Sequence, residues 1–168
     1  MLVQSSKAAK LPVQSSGAAG SKFKSSKLLV QSSFRMEKIR RFEDLEVFQK
    51  ARSLCKEVYR ITNIDPFKGD YRFVQQIRAA AGSIMDNIAE GFERNGNKEF
   101  VSFLYIAKGS CGEVRSQLIR AEDIDFVDSD TAKGLYAECL SISKMLTSLF
   151  PSIKKSGYSG NKFQPYEP

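Results

Sequence analysis

The sequence predicts an all-α protein: an antiparallel up-down-up-down four-helix bundle with disordered N- and C-terminal tails. Three observations carry that reading. Apolar residues recur at steps of three and four through four separate runs. Short connections rich in Pro, Gly, Asn and Asp separate the runs. No segment alternates with the period of two that a half-buried strand requires. Helices joined by short connections pack antiparallel to their neighbours. The organisation that follows is a low-complexity basic tail over 1–35, a bundle over 36–155 and a mobile tail over 156–168.

The first run opens at Asp44, whose carboxylate is placed to cap the free N–H groups of the next turn. Val47, Ala51, Leu54, Val58 and Ile61 then share one helical face, and Leu45, Phe48, Cys55 and Tyr59 widen it. The helix should stop near Thr62-Asn63, because Pro66 disfavours helix at Asp65 and Gly69 follows. A second helix starts near Asp70 and buries Phe73, Ile77, Ala80, Ala81, Ile84, Ile88 and Phe92. Within it, Ala79-Ala80-Ala81-Gly82 is a patch where a neighbouring helix can come close. Gly91 and Asn95-Gly96 weaken and then end the helix.

Asn97 is the expected cap of the third helix. Phe100, Leu104, Ala107, Cys111, Val114, Leu118 and Ala121 step by four and three without a break, the heptad pattern of bundle packing. Gly109 and Gly112 fall inside it, each costing about 1 kcal/mol relative to Ala. Close approach of another backbone is the physical compensation to expect. The fourth helix follows the cap cluster Asp128-Ser129-Asp130 and buries Leu135, Cys139, Ile142, Leu146, Leu149 and Ile153. Pro151 should end or kink it near Phe150.

The formal charge of +7 looks like a nucleic-acid signal, but most of it is local. Lys7, Lys10, Lys22, Lys24, Lys27 and Arg35 stand in a stretch with no acid. From residue 36 onward, 20 basic residues meet 19 acidic ones, which leaves +1. Val-Gln-Ser-Ser recurs in the tail at Val3–Ser6, Val13–Ser16 and Val30–Ser33, in units too short to be structural repeats. Three origins fit this tail: translated upstream sequence with Met36 the start, an added leader, or a basic, acid-free address.

The chain has no histidine, which removes the commonest general base and metal ligand. Cys55, Cys111 and Cys139 form no paired spacing, so no metal site is expected. Each lies on an apolar stripe, where a free thiol packs as a small hydrophobe. Unpaired, odd-numbered cysteines suit a reducing cytoplasm, and no run is long enough to span a bilayer. The carboxylates Asp86, Glu90, Glu93, Asp123, Asp125 and Asp128 lack the histidine partners of a carboxylate–metal bundle. Gly109-Ser110-Cys111-Gly112 breaks no heptad position, so it is helical rather than a phosphate loop. The sequence therefore points away from an enzyme and calls for no cofactor.

Asn87-Ile88-Ala89-Glu90-Gly91, followed by Phe100-Val101-Ser102-Phe103-Leu104-Tyr105-Ile106-Ala107-Lys108-Gly109-Ser110, resembles the core signature of the S23-type family. These are bacterial four-helix-bundle proteins encoded in intervening sequences of 23S ribosomal RNA genes. Relatives include accessory variability proteins of diversity-generating retroelements. Phe42–Ala51 resembles the family's opening segment and Gln76–Ala80 its second-helix start, so the likeness runs over about residues 42–155. Phe48 stands where family members usually carry a tryptophan, and the loop Asp65–Tyr71 also departs. The resemblance implies a homo-oligomer, commonly a pentameric ring, and partners that include nucleic acid or a reverse transcriptase. It makes Asn87, Glu90, Gly91, Gly109 and Ser110 signature positions, whose simplest role is structural.

Helix one is rich in cations, and Arg52, Lys56 and Arg60 are spaced i, i+4, i+8 along one face. A ring would repeat that stripe into a multivalent surface for RNA or DNA phosphates. Arg78 and Arg94 on helix two are further candidates. The plain alternative is solubilising charge, with the bundle acting as a protein–protein scaffold.

Overall fold

The computed structural model describes residues 39–94 and 96–155. The expected tails over 1–35 and 156–168, and Met36, lie outside the described residues.

Four helices follow one another: α1 (Glu46–Ile61), α2 (Tyr71–Glu93), α3 (Asn97–Asp123) and α4 (Ser129–Lys155). Short 3₁₀ turns at Phe42–Asp44 and Phe67–Gly69 precede α1 and α2. No strand occurs among the described residues. Consecutive helices run antiparallel, as three contacts show. Arg78, early in α2, bonds to Thr62 at the end of α1. Gln76, early in α2, meets Arg120, late in α3. Asn97, at the start of α3, reaches Ile153 in the last turns of α4. α1 packs on α2 and α4, and α3 packs on α2 and α4, so α1 and α3 are diagonal partners.

The apolar stripes read from the sequence form one core. Leu54, Ile77, Ile84, Leu104, Cys111, Leu118, Ile142 and Leu146 are all within 1 % of complete burial. Each large side chain buried this way contributes roughly 1.5–3 kcal/mol. At one end, Phe67 is wholly buried with its ring 4.8 Å from Phe73 and 5.4 Å from Phe126, closing the bundle. At the other, Phe48 packs its ring edge-on 4.9 Å from Phe42.

Several local expectations change. Asp44 does not cap α1: it belongs to the 3₁₀ turn, and Leu45 holds the N-cap position without a side-chain bond. Leu45 is fully buried, so packing rather than capping fixes the entry of this helix. Tyr59 leaves the core stripe and stays 46 % exposed beneath the Arg78 guanidinium, 4.6 Å away. Gly96, not Asn97, is the N-cap of α3. The Asn97 amide instead donates to the Ile153 carbonyl at 2.9 Å, satisfying one of the acceptors that a helix end leaves open. α4 also runs through Pro151 to Lys155 instead of stopping near Phe150. Phe150 and Ile153 are buried on either side of that proline, and their packing together with the Asn97 bond holds the last turn in place. Asp128 caps as expected, accepting from Thr131 N–H at 2.9 Å, and Asp70, read only as the start of α2, caps that helix by accepting from Phe73 N–H at 2.9 Å.

Candidate nucleic-acid interface and the α2–α3 seam

The five cations singled out in the sequence fall into two groups. Arg52 and Lys56 are exposed on the outer face of α1 and have no ion-pair partner among the described residues. Arg60 continues that face but holds Glu57 at 2.7 Å. Arg78 is half-buried and committed: it donates to Thr62 Oγ1 at 2.8 Å and Asn63 Oδ1 at 2.9 Å, and lies over Tyr59. It ties the end of α1 to α2. Arg94 donates to Glu90 one turn earlier at 2.9 Å and lies 4.9 Å from the centre of the Phe103 ring. Of the five, only Arg52 and Lys56 keep unspent charge on a common face.

The signature positions form a seam between α2 and α3. Asn87 donates to Ser83 O at 2.7 Å and to Ser83 Oγ at 3.0 Å. Ser83 Oγ lies 2.9 Å from Ser110 Oγ across the interface. Ser110 is buried and also donates to Ile106 O, so its hydroxyl has the partners that burial demands. Asn87 therefore acts across the helix pair through Ser83, a residue the sequence reading passed over. A serine on the edge of an apolar stripe gave no signal of its own.

Gly91 is the tight point of this seam. A Cβ built there would stand 2.6 Å from Phe103 Cβ and 3.0 Å from Phe100 Cδ2. The close approach expected at Gly109, Gly112 and the patch ending in Gly82 is not found among the described residues. Nothing lies within 4 Å of a Cβ at Gly109 or Gly112, and at Gly82 only Asp86 Oδ2, at 3.9 Å. The reason is orientation: Gly109 lies on the outer side of α3, where no helix of the described residues covers it.

Burial pushes the Cys111 and Cys139 thiols up to about 12. Cys55, half-buried, is raised by burial and by Asp86. Low thiolate content makes all three poor nucleophiles at neutral pH. Among the described residues no three His, Cys, Asp or Glu side chains converge on a metal-sized site. No described helix is long and apolar enough to cross a membrane.

Four antiparallel helices, a continuous apolar core and a polar seam closed by a glycine define a small helical-bundle protein. Residues 43–148 match the family model for the 23S rRNA-intervening sequence protein, and the chain belongs to that family. A crystal structure from Bacteroides thetaiotaomicron VPI-5482, of a protein of unknown function from the S23 ribosomal protein family, shares the fold. It aligns with a TM-score of 0.57 at 19 % identity, covering 62 % of this chain and 97 % of that one. Among curated proteins the sequence has no match.

Proposed function

We propose that this protein is a non-catalytic, self-associating bundle that binds RNA or DNA phosphates through the outer face of α1. The observation that carries the reading is the pair Arg52 and Lys56, exposed on one face with no acid taking up their charge among the described residues. Arg60 extends the line at partial strength because Glu57 shares it. α2 carries Arg72 and Arg78 against Asp86, Glu90 and Glu93. α1 carries Lys50, Arg52, Lys56 and Arg60 against Glu46 and Glu57, and local clustering rather than net charge steers a polyanion.

Anisotropy of labelled RNA and duplex DNA with residues 36–168 tests the reading. Binding that weakens steeply with salt, and that Arg52→Glu with Lys56→Glu abolishes, is the expected result. Equal binding by that variant and the parent chain would overturn it.

A second reading has a specific observation in its favour. Tyr105, Ile106 and Ile119 on α3 stay about half exposed, an apolar surface suited to another protein. On this reading the bundle is a scaffold whose contacts are self-assembly or docking to another protein, a reverse transcriptase among the candidates.

A further inference from the structure

Beside the cations of α1 stands an aromatic ring half open to water. Tyr59 follows Lys56 by three residues and Arg52 by seven, so the three share one side of the helix. The ring widens the apolar stripe in sequence, yet it is 46 % exposed. One of its faces is taken, because the Arg78 guanidinium lies 4.6 Å from the ring centroid. Arg78 is itself held by Thr62 Oγ1 and Asn63 Oδ1, at 2.8 and 2.9 Å. The ring is therefore backed by a fixed cation. Its open side is bordered by two more, Arg52 and Lys56, with no ion-pair partner among the described residues.

The acids near this surface do not cancel its charge. Glu57 is held by Arg60 at 2.7 Å, and Asp70 caps α2 through the Phe73 N–H. Asp86 acts on Cys55, one turn before Tyr59, and is outnumbered by Arg52, Lys56 and Arg78. A second ring stands on α2. Tyr71 lies seven residues before Arg78, on the side of α2 that meets α1, and is 74 % exposed. Two turns of helix, about 11 Å, separate it from Arg78.

Phosphate binding alone needs no ring. In a duplex the base faces are hidden in the stack, and a protein meets phosphates, sugars and groove edges. In a single strand the base faces are open, and an exposed aromatic ring beside cations takes a base by stacking. Every base has such a face, so this contact tolerates any sequence. A ring held in place beforehand loses little freedom on binding.

We propose that the α1 face selects single-stranded nucleic acid: an unpaired base stacks on the open side of Tyr59, backed by Arg78, while the flanking phosphates lie on Arg52 and Lys56. Tyr71 is placed to take a second base. This inference rests on the phosphate-binding reading and names which nucleic acid that surface takes.

The test titrates the full chain into a short labelled oligouridine and into an RNA duplex of the same length, read by anisotropy at physiological salt. The single strand should bind more tightly. Tyr59→Ala should lose about tenfold on the single strand and stay within about twofold on the duplex, whereas Tyr59→Phe keeps the ring and should match the parent chain. Circular dichroism of Tyr59→Ala should show the parent's helix content, since the Arg78 bonds to Thr62 and Asn63 remain. Photocrosslinking with iodouridine in the strand should map to Tyr59, a readout independent of affinity. A duplex bound as tightly as the single strand, no loss with Tyr59→Ala, or crosslinks confined to residues other than Tyr59 and Tyr71 would overturn the proposal. Arg52→Glu with Lys56→Glu separates the two readings. If that variant weakens both ligands while Tyr59→Ala weakens neither, the phosphate reading stands and the stacking falls. If it weakens neither ligand, the phosphate reading fails and the stacking falls with it.

Discussion

Gly91 on α2 lies so close to Phe103 on α3 that a Cβ at Gly91 would stand 2.6 Å from the Phe103 Cβ. Real carbon atoms do not approach so closely, so the glycine sets the spacing of the two helices. The neighbouring T-shaped Phe92–Phe100 pair, with ring centroids 5.9 Å apart, fills the volume beside it. Gly91→Ala should therefore destabilise the protein by about 1–3 kcal/mol, the usual cost of overpacking. Urea denaturation would read this directly, and an unchanged midpoint would mean that the helices can separate without loss.

The opposite result is expected at Gly109. No atom obstructs a Cβ there, and Ala exceeds Gly in helix preference by about 1 kcal/mol. Gly109→Ala should raise the thermal midpoint. A lowered midpoint would mean that Gly109 faces a close neighbour after all.

Arg78 and Arg52 should behave differently although both are basic. Arg78→Ala removes bonds to Thr62 and Asn63 and the contact with Tyr59, and it leaves the buried Thr62 hydroxyl with one donor fewer. Its loss should cost about 1.5–3 kcal/mol of stability, the range for hydrogen bonds from a charged group. Arg52→Ala touches no such bond and should leave the denaturation midpoint within about 0.5 kcal/mol of the parent. Equal effects on stability would contradict the separation of structural and free cations.

The buried thiols predict a pH dependence. Cys111 and Cys139 are raised to about 12, against an ordinary value of 9.0. A raised folded value means that the native state holds its protons more tightly than the unfolded chain. The contribution is present in full below about pH 9 and is lost as pH rises from there toward 12, at about 1.4 kcal/mol per pH unit for each thiol. The variant Cys111→Ala with Cys139→Ala should be less stable at neutral pH, because it leaves cavities, yet lose stability more slowly above pH 9. Identical slopes would show that the thiols ionise as freely folded as unfolded. Native protein at pH 8 should also resist alkylation at both positions.

The sequence by itself determined the helices and their buried faces. Steps of three and four from Phe73 to Phe92, from Phe100 to Ala121 and from Leu135 to Ile153 name residues that are buried without exception. Periodicity is a local property, and a helix with one apolar stripe has one way to bury it. The Asp128 cap was legible for the same reason, since a cap acts on its own next turn. The family signature was legible as a pattern of residues, but its division of labour was not. Which glycine marks a close approach depends on the direction each helix face takes, so Gly91 and Gly109 look alike in sequence and differ in space. Arg78 and Arg52 were equivalent charges until Thr62 and Asn63, from another helix end, came within hydrogen-bond reach of one of them. Pro151 was a helix breaker by its own chemistry, and Asn97 from the start of α3, with buried Phe150 and Ile153, kept the helix going. In each case the tertiary structure decided because the deciding partner is distant in sequence, and local pattern carries no information about it.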